Sequence, residues 1–338
     1  MSDASRETNF APPVGDFVMP AFRHRPGNHC GSTAIRNLFA HHGVELTEEM
    51  AFGLGAGACF YYVALDDQSP SRFINGRVGR LEEQFLELTG APLRLETFPD
   101  ADASWEGARE ALDDGRPPLL LTDLYYLDHY GKSAHFPGHA VVLAGYDDES
   151  AFLSDTAFED LQTTSLESLR EARHGNHPIF PLAGNMFTVD RNAEVGDLRD
   201  AAPAAVARNA KQMIDPPLGE FEGLPALRRF AAEVGEWPGV VEDWQWCARF
   251  AYQTIERRGT GGGNFRLIYS RFLEEAGYEQ SAEAAGAAAG WRELAAALEA
   301  ASEEDDADER QWSEIANSAR AVLEVEERLW DSLATASR

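Results

Sequence analysis

Near residue 195 the chain changes texture, and no single packing scheme suits both sides of the change. Before it, short apolar runs of strand length alternate with amphipathic stretches and Gly/Pro breaks. The strand-like runs are the end of G-L-G-A-G-A-C-F-Y-Y-V-A (53–64), Leu93 to Phe98, L-L-L-T-D-L-Y-Y-L (119–127), His139 to Tyr146, Ala151 to Asp155 and Asn185 to Val189. Helical spacing follows Cys30 up to Gly43, starts again at Thr47, and recurs over 77–90, 103–114 and 165–172. After residue 195, Ala, Glu, Leu and Arg dominate. Helical periodicity then covers 197–213, 223–235, 240–258, 263–276, 282–300 and 307–336, with no further strand pattern. The fold class expected is α+β, with a largely antiparallel sheet, followed by a second, all-helical domain. The division reads 1–22 as a Pro-containing arm, 23–195 as the mixed domain and 196–338 as the helical one.

Charge narrows the partners. Twenty-nine Lys and Arg face 57 Asp and Glu, a net −28, and only Lys132 and Lys211 are lysines. Phosphate backbones and anionic membrane surfaces need clustered cations, so neither nucleic acid nor a membrane is an expected partner. Many acids, much Ala and almost no Lys resemble the acidic, halophilic proteins that stay hydrated in concentrated salt. The three cysteines, Cys30, Cys59 and Cys247, form no CxxC and suggest neither a disulfide framework nor zinc. No apolar leader core and no run of ~20 apolar residues is present, so a cytoplasmic, soluble protein is expected. Oligomeric state is not legible.

One constellation carries chemistry. Pro26-Gly27 breaks structure just before Cys30, and Ala34, Ile35, Leu38 and Phe39 then recur at helical spacing. Cys30 is therefore expected at or near a helix N-terminus, where exposed N–H groups and the dipole favour a thiolate. A buried structural cysteine is the competing reading, disfavoured by the polar, turn-forming flank. His139 opens the apolar strand A-V-V-L-A-G-Y directly after Pro137-Gly138, and an imidazole there needs a partner. Asp155 lies on the returning strand beyond the Gly145–Ser150 turn, which brings it beside His139 to fix the ring tautomer. Nucleophile, base and orienting acid are thus Cys30, His139 and Asp155.

Those residues sit in segments that resemble a known family. H-C-G-S-T-A-I-R-N-L-F-A-H-H-G-V-E-L-T-E-E-M-A-F-G-L-G-A-G and H-F-P-G-H-A-V-V-L-A-G-Y-D-D resemble the N-terminal domain of the butirosin biosynthesis protein H family. E-R-R-G-T-G-G-G-N-F-R-L-I-Y-S-R-F-L-E-E-A resembles the helical domain of unknown function that follows it in relatives. The resemblance runs from about residue 24 to past residue 280. It implies a papain-like fold for residues 23–195, with Cys30, His139 and Asp155 in the family's catalytic positions. The namesake moves an acyl group from an acyl-carrier protein to an aminoglycoside amine. The resemblance therefore implies a cysteine acyltransferase of secondary metabolism. A carrier-protein or CoA thioester would be donor, an aminoglycoside- or polyamine-like amine acceptor, and an acyl-carrier protein a partner, with no cofactor and no metal. A peptidase or amidase would use the same residues on water, and a non-catalytic binding protein on this frame is a third alternative.

Several features stay open at this level. Papain-like proteases usually carry a Gln before the nucleophile, and here the stretch is H-R-P-G-N-H. The Cys30 N–H can supply one oxyanion donor; Asn28, His29 or His24 is the candidate for a second. D-L-Y-Y-L-D-H-Y offers Tyr125, Tyr126, Asp128, His129 and Tyr130 as an acceptor pocket, and the same residues could simply be a strand end and loop packing. Gly53, Gly55 and Gly57 read as a packing turn, with Cys59 in the core. The glycines at 259 and 261–263 read as a turn between helices, or as a phosphate-binding cap beside Arg257, Arg258 and Arg266, with Arg266 a further substrate-pocket candidate. His41-His42 and His174/His177 are spaced too loosely to point to a metal.

Overall fold

The computed structural model describes residues 17–20, 22–175, 180–190 and 194–336. In chain order the elements are β1 (Phe17–Val18), α1 (Cys30–His41), α2 (Glu48–Leu54), β2 (Ala58–Ala64), β3 (Arg72–Arg77), α3 (Leu81–Thr89), β4 (Leu93–Glu96) and α4 (Ala101–Asp113). Then come β5 (Leu119–Asp123), β6 (Pro137–Tyr146), β7 (Ser150–Ser154), β8 (Gln162–Ser165), α5 (Leu166–Arg173) and β9 (Met186–Val189). The rest is helical: α6 (Ala202–Ile214), α7 (Gly223–Glu233), α8 (Trp237–Val240), α9 (Trp244–Glu256), α10 (Arg266–Glu275), α11 (Ser281–Ala301) and α12 (Glu309–Ala336). The expected α+β class, with a helical C-terminal region, is the class observed.

Two compact units divide the chain: residues 1–51 with 85–197, and residues 52–84 with 198–338. The first is built on an antiparallel sheet in the order β4-β9-β5-β6-β7-β8, with β1 added to β6. β5 and the centre of β6 are buried on both faces, and α1 packs on β6. Trp105, Leu112, Leu120, Val141, Leu143 and Leu153 sit in that core. β5 ends at Asp123, short of the nine-residue run expected. The reason is local: the Asp123 carboxylate accepts from the N–H groups of Tyr125 and Phe136, which folds Leu124–Tyr126 into a 3-10 turn.

The second unit differs from the sequence division, which counted residues 52–84 with the first domain. The β2–β3 hairpin packs instead with the helices after residue 197. Phe60 and Tyr62 on β2 lie against Phe230, Trp237 and Trp291, an aromatic match no local pattern reveals. Gly53 lies within α2 rather than in the expected turn, which begins only at Gly55; the Phe272 and Phe52 rings stand where a Cβ on Gly53 and Gly57 would fall. Cys59 is wholly buried, and burial pushes its thiol up to about 12.

Arg266, a substrate-pocket candidate by sequence, is corrected by this unit. It has no exposed surface, and its guanidinium donates to Glu326 Oε1 at 2.7 Å and to the carbonyls of Gly76, Asn264 and Cys59. Glu326 also accepts the indole N–H groups of Trp291 and Trp330, each at 2.6 Å. With its donors spent on both strands of the hairpin and on Glu326, Arg266 fastens the core and has no face for a ligand. The glycine run beside it is a tight turn: the Gly263 N–H binds Glu256 Oε1 and the Gly262 N–H binds the Thr260 hydroxyl, so two N–H groups a phosphate would need are occupied.

Candidate active site

Cys30 is the first residue of α1, and His29 is its N-cap, with Nδ1 accepting from the Ser32 N–H. The chain reaches this position through a tight approach. A Cβ on Gly27 would fall 2.1 Å from Thr33 Oγ1 and 2.8 Å from Glu48 Oε2, so only glycine fits. Glu48, from α2, then accepts from the N–H groups of Asn28 (2.8 Å) and His29 (2.6 Å) and from Asn28 Nδ2 (3.1 Å). One carboxylate thereby fixes the two peptides ahead of Cys30, whose residue remains partly exposed.

β6 delivers the histidine. Gly138 takes φ +83°, conformationally cheap only for glycine, and turns the chain into the strand one residue before His139. β7 delivers the acid: Val142 pairs with Ser154, so Asp155 follows the strand end on the diagonal from His139. His139 Nε2 lies 3.0 and 3.1 Å from the two Asp155 oxygens. The Cys30 side chain forms a hydrogen bond with the same imidazole. With Nε2 given to Asp155, Nδ1 is the nitrogen left for the sulfur.

Electrostatics follow from this order. Burial of His139 by itself disfavours imidazolium; the Asp155 charge and hydrogen bonds, reinforced by Cys30, outweigh it and raise the ring to about 10. Burial of Asp155 disfavours carboxylate, yet the His139 charge and the hydrogen bonds of His129 and His139 hold it well below the usual range. The pair is thus Asp155 carboxylate and His139 imidazolium, the partner that stabilises a thiolate.

The remaining sequence candidates fall in several places. His24, proposed as an oxyanion donor, is buried and has both nitrogens engaged, with Ser154 Oγ at 2.8 Å and the Phe158 carbonyl at 2.9 Å. Because a carbonyl only accepts, Nε2 donates there and Nδ1 accepts the Ser154 hydroxyl proton. Burial lowers its pKa, in keeping with a neutral ring. His24 therefore braces the turn that carries Asp155, and Asn37 of α1 donates to the same Ser154 hydroxyl. His29 is committed to the cap, whereas Asn28 is exposed and keeps a second amide hydrogen beyond its Glu48 bond. Asp128 accepts from the Ser165 N–H and the Ser168 hydroxyl at the start of α5. His129 and Tyr130, read as pocket lining, both bind Asp155, from Nε2 at 3.0 Å and from the hydroxyl at 3.1 Å.

Tyr125 stacks on His135 at 4.0 Å, and His135 Nδ1 meets the buried Asp123 at 2.7 Å. Tyr126 flanks a shallow cleft with Arg170, Glu171 and His174. His177 lies outside the described residues, and among those described no group of three His, Cys, Asp or Glu side chains is arranged for a metal ion. Glu48, Asn37 and His135 went unnoticed in the sequence. Glu48 looked like an ordinary first-turn acid beside the Thr47 cap, and only the fold returns it to Cys30.

A helix-terminal cysteine joined to a histidine on one strand and an acid just past the end of its antiparallel neighbour defines a cysteine–histidine–aspartate site on an α+β frame. Two family models match the chain in tandem: Butirosin biosynthesis protein H, N-terminal, over residues 29–156, and a domain of unknown function (DUF4872) over residues 167–333. Residues 29–156 thus match the first family and residues 167–333 the second, in that order along the chain. No curated protein matches it. No helix among the described residues is long and apolar enough to cross a membrane.

Proposed function

We propose that this protein is a cysteine acyltransferase acting through an acyl-enzyme on Cys30. The single observation behind the reading is the hydrogen-bonded run from a partly exposed, helix-terminal Cys30 through His139 to the buried Asp155. The match to a family named for a biosynthesis protein favours group transfer within a biosynthetic route.

In the first half-reaction Cys30 Sγ attacks the carbonyl carbon of a carrier-protein or CoA thioester, and the carbonyl electrons move onto oxygen. The Cys30 N–H at the helix start and the second Asn28 amide hydrogen would donate to that oxyanion. Collapse expels the donor thiolate, which takes the His139 proton. In the second, a neutral amine attacks the Cys30 thioester and His139 accepts its proton. The amide leaves, and the thiolate–imidazolium pair is restored. The acidic surface suits a cationic, aminoglycoside- or polyamine-like acceptor. It disfavours docking an acidic carrier protein except where salt screens both. The same composition is the basis for a halophilic setting.

Incubation with an N-acetylcysteamine thioester, followed by intact-mass analysis, tests the reading. The expected product is a single acyl adduct that Cys30→Ala cannot form and that a polyamine discharges faster than water does. An adduct discharged only by water identifies a hydrolase. Failure of both carrier and CoA-type thioesters to acylate Cys30, with the thiol also inert to alkylating reagents, leaves a binding protein.

A further inference from the structure

Asp155 is wholly buried, and the hydrogen bonds it makes all come from donors: His139 Nε2, His129 Nε2 and the Tyr130 hydroxyl. Two imidazoles therefore share one carboxylate, each 3.0 Å from Oδ2. Their second nitrogens face different surroundings. His139 meets the Cys30 side chain. The His129 side chain is only 6% exposed, and its ring is bounded by Tyr130 at 4.7 Å and the Phe158 edge at 5.2 Å. Its Nδ1 is buried without a hydrogen-bond partner among the described residues. An ionised carboxylate only accepts, so the His129 Nε2 carries the proton it donates to Asp155. His129 is thus built to hold Asp155, and only His139 can exchange a proton with the sulfur.

We propose that His129 is a positioning residue of the Cys30 site, clamping Asp155 so that both carboxylate oxygens face His139. The geometry needs that clamp. Asp155 sits one residue past the end of β7, where the strand ladder no longer fixes its backbone. Tyr130 reaches only Oδ1, whereas His129 secures Oδ2. The titratable groups around the pair are Cys30 from α1, His139 from β6, His129 and Tyr130 from the 128–130 turn, and His24, which feels Asp155 from the segment before α1. Without the His129 donor the carboxylate is free to turn toward Tyr130 alone, and the field holding the His139 proton weakens. The inference rests on the Cys30–His139 pairing behind the proposed function, not on the identity of donor or acceptor.

The test needs no substrate. Iodoacetate is anionic and iodoacetamide neutral, so the ratio of their rates on Cys30 is high while His139 is imidazolium and drops as it deprotonates. Cys59 and Cys247 are fully buried, which confines reaction to Cys30. The ratio is measured against pH for the full chain, for His129→Phe, which fills the aromatic box without a donor, and for His129→Gln, which restores an N–H at similar reach. The Phe variant is expected to move the fall in the ratio down by about one pH unit or more, while the Gln variant stays within about 0.3 of wild type. Should the Phe variant not fold, His129→Asn, too short to reach Asp155, is read the same way. Curves that superimpose for all variants, or that shift equally for Phe and Gln, overturn the proposal. A wild-type ratio with no fall at all defeats the Cys30–His139 pairing itself, and the clamp with it.

Discussion

Replacing Asp155 by Asn removes one charge and turns one acceptor into a donor, at the point where three donors converge. At 3.0 Å and an effective dielectric of about 20, the attraction between carboxylate and imidazolium is about 5 kcal/mol. The rise of His139 from 6.5 to about 10 corresponds to a similar amount, about 5 kcal/mol, at 1.36 kcal/mol per pH unit. With the charge gone, burial acts with less opposition, and His139 falls to its ordinary range or below. At neutral pH the ring is then largely neutral and no longer holds a thiolate beside it. Converted at tenfold per 1.36 kcal/mol, the loss sets a ceiling of about 10³ to 10⁴ on the fall in single-turnover acylation. The Asn amide also confronts the N–H of His129 or the hydroxyl of Tyr130, which costs a further ~1–3 kcal/mol of stability. Two measurements check this: the rate of adduct formation on Cys30 by quenched-flow mass analysis, and the His139 titration followed by ring-carbon NMR. An Asn variant that stays folded, acylates at the wild-type rate and keeps a His139 midpoint near that of wild type would refute the electrostatic account.

Three other outcomes are expected. In Cys30→Ser, where no thiol titrates beside it, the His139 contribution to stability is fully present below about 6.5 and is lost as pH rises toward the folded value. The sign follows because the folded state then keeps a proton that the unfolded chain releases. The Asp155 contribution has the opposite sense, present above about 3.9 and lost as pH falls, so the melting temperature should be highest between about 4 and 6.5. A melting temperature that climbs steadily from pH 7 to 10 would contradict this. Glu326→Leu strands the Arg266 charge and two indole N–H groups inside the helical unit. Urea unfolding should show a loss of about 3–5 kcal/mol, and a loss under about 1 kcal/mol would show the pair to be dispensable. Gly27→Ala drives a methyl onto Thr33 and Glu48 and loosens the peptides ahead of Cys30. It should lower acylation roughly 10- to 100-fold with little change in melting temperature, because a displacement of about an ångström at a reacting group costs that much.

The parts of this molecule that were readable in advance are those specified locally. Cys30 at a helix start follows from a Pro-Gly break and one apolar stripe, and the His139–Asp155 pairing follows from a short turn between two apolar runs. The helices after residue 197 follow from periodicity alone. What went astray depended on distant partners. An arginine beside a glycine run looks like a phosphate site until Glu326, sixty residues on, is seen to claim it. His24 looks like a donor waiting near the thiol until Ser154 and Phe158 occupy both nitrogens from 130 and 134 residues away. The ownership of the β2–β3 hairpin turns on aromatic rings that no window around residue 60 contains.

That hairpin has a consequence for synthesis. Residues 52–84 emerge from the ribosome well before residue 198, the start of the helices they pack against. At about 5–20 residues per second, the 114 residues from 84 to 198 delay the first of those helices by roughly 6 to 23 seconds. During that interval Phe60, Tyr62 and Ile74 have no partners, while residues 85–197 emerge and can fold around the hairpin's two ends. The first unit is in this sense completed around a loose thread, and a chain cut after residue 197 would leave an apolar hairpin permanently bare. Nascent chains of this protein should therefore be most dependent on holding chaperones between these two lengths, and separate expression of either linear half should yield aggregates.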